Sequence, residues 1–151
     1  MSLTNFDIEE ICNEYKIKLI QVCAKDELYG KPKDGGYIIN LDNSGGEGLH
    51  WTAFYIRDTN ATYFDSFGAV PPYEVCRFLN KANIKTIYNT SMIQDLMSNC
   101  CGFYSIYFLY WFQHHKTKNQ KAVLNQLTEQ FSEHDTKRNV DILKNNIKHI
   151  K

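Results

Sequence analysis

The sequence predicts an α+β fold in which helices pack on a mostly antiparallel central sheet. Short strand patterns fill much of the first ninety residues, whereas the rest of the chain carries mainly helical patterns. The chain has 151 residues, of which 43% are hydrophobic, so it can bury a core without metals or disulfides. We therefore expect a single domain over residues 1–151, with a helical C-terminal part over 114–151.

Five short strands are predicted from apolar runs bounded by turn-forming residues. They are residues 18–24, 37–41, 50–56, 61–67 and 85–89. The second follows a loop with Pro32 and the pair Gly35-Gly36, and the third follows a Gly-rich loop at 43–48. Polar turn formers at 57–60 join the third and fourth, so we expect a hairpin at the centre of the sheet.

Five helices are predicted from apolar side chains at helical spacing. They are residues 5–15, about 73–82, 101–113, and the regions near 118–131 and 137–149. Thr4 followed by Asp7 resembles a capping pattern before the first helix, and Pro71-Pro72 suits the first turn of the second. The third is too long and too apolar for an ordinary strand, so we expect it to be the buried central helix.

The composition argues against several classes of protein. No apolar run approaches the roughly 18 residues of a membrane span, and residues 1–5 lack the basic and apolar regions of a secretory signal. The five cysteines are odd in number and irregularly spaced, which argues against a secreted disulfide framework and for a reducing compartment. We expect a protein that is neither secreted nor bound to a membrane.

The formal charge is zero overall but unevenly distributed. Residues 114–151 carry eight Lys or Arg against four Asp or Glu, which leaves nine against thirteen in the rest of the chain. Such a basic tail could contact nucleic acid or an acidic partner. A solvated helical face is the more ordinary interpretation.

One histidine stands out by its position. His50 is the single histidine of the first 113 residues, and it begins a predicted strand directly after the Gly-rich loop. A strand end beside an open loop can present a side chain in a cleft. A catalytic imidazole in this part of the chain must therefore be His50, although a structural or merely exposed histidine is the ordinary alternative.

Asp65 is a carboxylate among aromatic residues near the end of the next strand. Its burial would require a partner. In a hairpin that turns at 57–60, residues about equally far from the turn lie opposite each other, which brings Asp65 near His50. This pair would form the orienting half of a catalytic triad, in which the carboxylate fixes the imidazole tautomer. Asp65 could instead cap the loop at 66–68.

Cys100, Cys101 and Gly102 open the long apolar helix. A thiol at a helix N-terminus experiences the positive end of the helix dipole, which lowers its pKa and favours the nucleophilic thiolate. Gly102 would let a substrate approach closely. Most cysteines are buried and inert. The cysteines that we expect to fill the core are Cys12, Cys23 and Cys76.

Zinc is the main chemical alternative, because cysteine and histidine also bind zinc. The sequence has no C-x-x-C pair, and the adjacent Cys100 and Cys101 cannot easily supply two corners of a tetrahedron. His114 and His115 are also adjacent and would face different sides of a helix. Phosphate-loop and dinucleotide fingerprints are absent. We therefore expect neither a metal nor a cofactor.

The order of these motifs resembles a known protein family. The chain contains, in sequence, Gly-Leu-His50-Trp51, Tyr-Phe-Asp65-Ser-Phe-Gly, Gln94 and Cys101-Gly102. This order is similar to that of the adenain-like viral maturation proteases, within the clan that includes the SUMO and ubiquitin-like-protein proteases. The resemblance covers about residues 10–115 and implies the cysteine proteinase fold of that clan.

The resemblance also implies roles for individual residues. The family pattern matches His50 to the base, Asp65 to the acidic member, Gln94 to the oxyanion donor and Cys101 to the nucleophile. The seven-residue step from Gln94 and the Cys-Gly pair favour Cys101 over Cys100. Substrate contacts are expected at Trp51, Gly48 and Gly102.

Residues 36–42 and 67–72 look most like the maturation proteases of virophages and related transposon-like viruses. The implied function is an endopeptidase that cleaves capsid or virion precursors at glycine-containing sites. It would act as a monomer in the virion and in the host cytoplasm, with DNA or a peptide as a possible activator. The chain is shorter than adenain, and the cysteine that bonds the activating peptide of adenain has no evident counterpart.

Three alternatives remain open from the sequence. The first is a deubiquitinase or SUMO-type protease that acts on host ubiquitin-like conjugates. The second is an effector acetyltransferase of the same clan, although no basic cofactor pocket is evident. The third is a binding module on a protease-like fold, which the presence of all four catalytic residue types disfavours.

Overall fold

The computed structural model of the chain describes residues 2–46, 50–95, 98–116 and 119–148. Five helices and five strands are present in this part of the chain, together with a short 3-10 turn at Lys25–Glu27. In chain order they are α1 (Asn5–Glu14), β1 (Leu19–Ala24), β2 (Gly35–Asn40), β3 (Trp51–Arg57), β4 (Asn60–Phe64), α2 (Tyr73–Asn80), β5 (Lys85–Tyr88), α3 (Cys101–His114), α4 (Gln120–Thr128) and α5 (Thr136–Asn146).

The five strands form one sheet in the order β1-β2-β3-β4-β5. The central pairs β2/β3 and β3/β4 are antiparallel, with Ala53 opposite Phe64 across the hairpin. The edge pairs β1/β2 and β4/β5 are parallel. The predicted α+β class and the antiparallel centre are confirmed, but the sheet as a whole is mixed. Parallel neighbouring strands need a crossover connection, and α2 lies in the one between β4 and β5.

Both faces of the sheet are covered. The larger core lies between the sheet and α3, where the rings of Phe64 and Phe108 stack with their centroids 5.1 Å apart. The smaller core lies under α2, where Tyr37 stacks on Phe54 at 4.6 Å. Residues 102–109 of α3 are all buried, so α3 is the buried central helix that its composition predicts.

Several element ends differ from the prediction for local reasons. The Thr4 and Asp7 capping box is present at the start of α1. Pro72 is the N-cap of α2 rather than part of its first turn. The fourth strand ends at Phe64, because the backbone N–H and C=O of Asp65 bond to the Asn89 side chain at 3.0 and 2.7 Å instead of to a neighbouring strand.

The last two helices, α4 and α5, are shorter than predicted. Their N-caps are Asn119 and Asp135, whose side chains accept hydrogen bonds from backbone N–H groups of the first turn. Within the described ranges, no helix has the length and apolar character needed to cross a membrane.

Candidate active site

Three of the residues that the sequence predicts as catalytic lie together at one end of the inner strands of the sheet. His50 directly precedes β3, Asp65 directly follows β4, and Cys101 is the first residue of α3. Three elements therefore each contribute one end to the site. An element end leaves backbone groups unpaired and side chains accessible, which suits a reactive centre.

The His50 and Asp65 side chains are hydrogen bonded, with 2.7 Å between Nε2 and Oδ1. Both are buried, at 7% and 1% exposure. The hairpin register explains their contact: continued beyond the strands, it places His50 opposite Phe67, so that Asp65 is its diagonal neighbour on the same face. The backbone of His50 is fixed as well, because its carbonyl accepts from the Leu41 N–H at 2.8 Å.

Phe67 supports both members of this pair and was not identified from the sequence. Its ring stacks on the His50 imidazole with a centroid distance of 4.3 Å and an interplanar angle of 12°. Its backbone N–H donates to Asp65 Oδ1 at 2.8 Å. The hairpin register, extended past the end of β4, is the signal that could have placed Phe67 over His50.

Asn89 is a second residue that sequence reasoning missed. It is buried, and its amide bridges the backbone N–H and C=O of Asp65. This double contact holds Asp65 at the point where the chain leaves β4. A lone Asn after a strand has no distinctive sequence signal, so only the folded structure reveals this contact.

Cys101 lies at the N-terminus of α3, and its Sγ accepts a hydrogen bond from the Trp51 N–H at 3.4 Å. The thiol also interacts with the His50 side chain. Since Asp65 engages Nε2 of His50, Nδ1 is the ring nitrogen that remains for the thiol. The three side chains therefore form a chain of contacts from carboxylate to imidazole to sulfur.

The electrostatics of this chain favour an ion pair. Burial favours the neutral imidazole, but the hydrogen bonds and charges of Asp65 and Cys101 outweigh it and raise the pKa of His50 to about 9. Burial also opposes ionisation of Cys101, whereas hydrogen bonds from His50 and the Trp51 N–H hold the pKa of Cys101 below its ordinary value. Both shifts change the site in the direction of a thiolate and imidazolium pair.

Two other thiols show the opposite behaviour. Burial raises the pKa of Cys12 to about 12 and is the main cause that raises the pKa of Cys23 to about 11. Both stay protonated at neutral pH, which makes them poor nucleophiles. Among the described residues, no group of three or more His, Cys, Asp or Glu side chains is arranged to hold a metal ion.

Gln94 is buried beside the segment that leads into α3. Its Nε2 donates to the Ser98 carbonyl at 3.0 Å, and its Oε1 accepts from the Ser66 hydroxyl. The Ser66 carbonyl in turn accepts from the Gln94 backbone N–H at 3.1 Å. These contacts orient the carboxamide, with Ser66 being a further residue that the sequence did not single out. The oxyanion role of Gln94 stays a prediction.

The three predicted substrate contacts differ in what the structure shows. Trp51 is buried, and its indole N–H donates to the Leu3 carbonyl at 2.9 Å. A Cβ on Gly102 would come within 3.0 Å of Leu3 Cδ1 and 3.3 Å of Trp51 Cδ1. The absence of a side chain at Gly102 thus serves packing. Gly48 lies outside the described residues, and the substrate-binding roles of all three stay predictions.

Comparisons with known proteins place this geometry in context. No protein-family model matches the chain. The SUMO-1 cysteine protease of African swine fever virus is 28% identical over 87 residues, which is 49% of this chain and 32% of that protein. The match thus spans about a third of the length of this relative.

Solved structures give a broader match. A crystal structure of the African swine fever virus protease covers 87% of this chain and 67% of that chain, with a TM-score of 0.51 and 19% identity. Its selenomethionine form covers 87% and 68%, with a TM-score of 0.49 and 18% identity. The first of these shows that the chain has the SUMO-protease-like α+β fold of that viral protease.

Proposed function

We propose that the chain is a cysteine endopeptidase with Cys101 as nucleophile, His50 as base and acid, and Asp65 as the residue that orients the histidine. The observation that carries this proposal is the buried 2.7 Å hydrogen bond between His50 and Asp65 beside a thiol at a helix N-terminus. The lowered pKa of Cys101 and the raised pKa of His50 both favour the ion pair that such an enzyme needs.

The proposed reaction is acyl transfer. The Cys101 thiolate attacks the carbonyl carbon of the scissile bond, and the negative charge moves to the carbonyl oxygen. The Cys101 backbone N–H and the Gln94 amide would donate to this oxyanion, and one such donor lowers the barrier by about 3 kcal/mol. His50 then protonates the leaving amine, and a water molecule that transfers a proton back to His50 hydrolyses the thioester.

The proposed substrates are capsid or virion precursor proteins, cut at glycine-containing sites. Support comes from the sequence resemblance to adenain-like and virophage maturation proteases and from the similarity to a viral cysteine protease. A monomeric enzyme in the virion and host cytoplasm, with DNA or a peptide as activator, belongs to the same proposal. The excess of basic residues over 114–151 supports a nucleic-acid activator.

A SUMO-type or deubiquitinating activity is the second candidate. One observation favours it, namely that the relative with 28% identity is named a SUMO-1 cysteine protease. Incubation of the chain with ubiquitin-like conjugates and, separately, with viral precursor proteins would separate the two candidates by the products formed.

The nucleophile can be tested directly with a matched pair of thiol variants. We expect Cys101→Ala to abolish peptide cleavage without loss of the folded state, because no other described thiol contacts both His50 and the Trp51 N–H. Cys100→Ser should retain most of the activity, since Cys100 caps α3 without a side-chain hydrogen bond. Cleavage of a peptide library followed by mass spectrometry, with circular dichroism as the folding control, measures both. Wild-type turnover by Cys101→Ala would overturn the proposal.

A further inference from the structure

The peptide group that joins Ile93 to Gln94 is held on both sides. Its oxygen, the Ile93 carbonyl, accepts from Asn139 Nδ2 at 2.9 Å. Its N–H, on Gln94, donates to the Ser66 carbonyl at 3.1 Å, and the Ile93 N–H donates to the same carbonyl at 2.9 Å. Two residues that are distant in the sequence therefore fix the main chain of the predicted oxyanion donor.

Asn139 makes this contact from α5, in the C-terminal part of the chain. Its side chain is fully buried, and a buried carboxamide is costly unless its hydrogen bonds are made. Nδ2 donates to the carbonyls of Ile93 and Ser132, at 2.9 and 2.6 Å, and Oδ1 accepts from the Ser132 N–H at 2.7 Å. The bonds to Ser132 close the loop that leads into α5, whereas the bond to Ile93 connects α5 to the segment of Gln94.

The carboxamide of Gln94 is oriented as well. Its Nε2 donates to the Ser98 carbonyl, and its Oε1 accepts from the Ser66 hydroxyl. A carbonyl oxygen can only accept, so the Ser98 contact establishes which side-chain atom is the nitrogen. Gln94 and Ser66 are both buried, where water does not compete for these bonds. Ser66 thus holds Gln94 twice, through its main-chain carbonyl and through its hydroxyl.

This arrangement connects the predicted oxyanion donor to the other predicted catalytic residues. Ser66 directly follows Asp65, and Ser98 lies three residues before Cys101. A carboxamide nitrogen carries two hydrogens, so Gln94 Nε2 can donate to Ser98 and to a substrate oxygen at the same time. A donor that is already oriented stabilises the oxyanion without reorganisation as the charge develops. The Ser66 hydroxyl and the Ser98 carbonyl together oppose rotation of the carboxamide.

We propose that Ser66 and Asn139 are positioning residues of the active site, which hold Gln94 where its amide donates to the oxyanion. The Ser66 hydroxyl fixes the carboxamide, and Asn139 fixes the main chain that carries it. α5 thereby takes part in the reaction although it supplies none of the predicted catalytic residues. The inference rests on the proposed peptidase function and identifies the residues that orient its oxyanion donor.

The role of Ser66 is tested with Ser66→Ala, which removes the hydroxyl and retains the carbonyl that accepts from Ile93 and Gln94. For a peptide that the wild type cleaves, we expect kcat to fall about tenfold with KM altered less than about twofold, because the donor acts in the transition state. Alkylation of Cys101 by iodoacetamide forms no oxyanion, so its rate and pH dependence should match the wild type. A parallel loss of alkylation overturns the role, because the change would then act through the thiol.

Gln94→Met is the second variant, because methionine has a similar volume and no hydrogen-bond donor. It should lower kcat about 100-fold. Since Ser66 acts through Gln94 in this proposal, the double variant Ser66→Ala with Gln94→Met should be no slower than Gln94→Met alone. A further loss of about tenfold in the double variant, or an unaltered kcat in Ser66→Ala, overturns the role of Ser66. Ser91→Ala is the matched control, since Ser91 lies in the loop that leads to Gln94 and contacts Asn89 through its carbonyl.

Asn139→Ala tests the contact from α5, and thermal unfolding separates its effect on stability from its effect on positioning. At a temperature where the variant is fully folded, kcat should fall about three- to tenfold while the alkylation of Cys101 stays at the wild-type rate. Asn139→Asp is the second variant, since it keeps the oxygen that accepts from Ser132 and loses the donor to Ile93. Asn145→Ala, exposed on the same helix, is the control. A folded variant of either kind with the wild-type kcat overturns the role of Asn139.

Cleavage by the wild type separates failure of this inference from failure of the peptidase function. A wild type that cleaves no peptide overturns the peptidase function itself. A wild type that cleaves, together with an unaltered kcat in Ser66→Ala and Asn139→Ala, overturns the positioning roles alone.

Discussion

Several hydrogen bonds hold Asp65 at the candidate site. Its Oδ1 accepts from both the His50 ring and the Phe67 N–H, and its backbone is held by the Asn89 amide. A carboxylate fixed in this way keeps the imidazole in one tautomer and stabilises its protonated form. The predicted hairpin alone indicated that Asp65 and His50 lie close together. The roles of Phe67 and Asn89 depend on side-chain contacts that cannot be inferred from residue spacing.

Asp65→Asn should therefore act through the protonation of His50. The pKa of His50 is raised to about 9, so the imidazolium is present up to that pH and is lost above it. Loss of the negative charge lowers this pKa, and the falling limb of the kcat/KM profile should move to lower pH. We expect the maximal kcat/KM to fall on the order of 100-fold.

The measurement is a pH series of kcat/KM and of Cys101 alkylation in both proteins. Asp58→Asn, at the opposite end of the hairpin, is the matched control, because Asp58 has a φ of 56° that Asn also adopts. An unaltered falling limb in Asp65→Asn would show that Asp65 does not set the charge of His50.

Gly102→Ala tests the tight packing next to Cys101. An added Cβ would approach Leu3 Cδ1 to 3.0 Å, and such overpacking costs about 1–3 kcal/mol. Chemical denaturation should show this loss for Gly102→Ala. Leu3→Ala should make room for the methyl group, so the double variant should lose less stability than the sum of the two single variants. Strict additivity would show that the two residues do not interfere.

At the level of elements, the site depends on where β4 ends. The strand stops because Asn89 takes over the backbone bonds of Asp65. Local patterns predicted strands and helices in this order, yet they extended the fourth strand to residue 67. A side chain that replaces a neighbouring strand as hydrogen-bond partner lies far along the chain, so the apolar pattern cannot reveal it.

Asn89→Ala should destabilise the protein and displace Asp65. It leaves the buried Asp65 N–H without its partner, which costs about 1–3 kcal/mol, whereas the Asp65 C=O still accepts from the Gly68 N–H at 2.8 Å. Urea denaturation measures the stability, and the rate of Cys101 alkylation at pH 7 reports the ion pair. Asn145→Ala, an exposed change on α5, is the control and should be within about 0.5 kcal/mol of wild type. A stable Asn89→Ala with normal alkylation would show that Asp65 is held by its other contacts.

On the scale of the whole molecule, the site depends on the packing of α3 against the sheet, since His50 and Asp65 come from the sheet and Cys101 from the helix. The α+β class and the antiparallel centre could be predicted because hairpins and helices produce apolar and turn-forming patterns over short stretches of sequence. The parallel pairing of β1 with β2 and of β4 with β5 could not, because partners across a crossover connection share no local signal.

Phe108→Ala tests how much the packing of α3 against the sheet stabilises the fold. Phe108 is fully buried and stacks on Phe64 one residue before Asp65, and such truncations cost about 3–5 kcal/mol. Guanidinium denaturation should show this loss, whereas Tyr73→Ala, at an exposed aromatic on α2, should show almost none. A loss below about 1 kcal/mol would mean that α3 is held mainly by other contacts.

Trp51 lies next to Cys101, whose Sγ accepts from the Trp51 N–H, and this gives the protein a built-in optical probe. Trp111, the second tryptophan, lies in the last turns of α3 and donates to the Val123 carbonyl, far along the helix from Cys101. In a Trp111→Phe variant, the emission comes from Trp51 alone, whose N–H bond to Leu3 fixes the ring at the site. Peptide binding near Cys101 and alkylation of its thiol can then be followed as changes in fluorescence, without a label and without turnover.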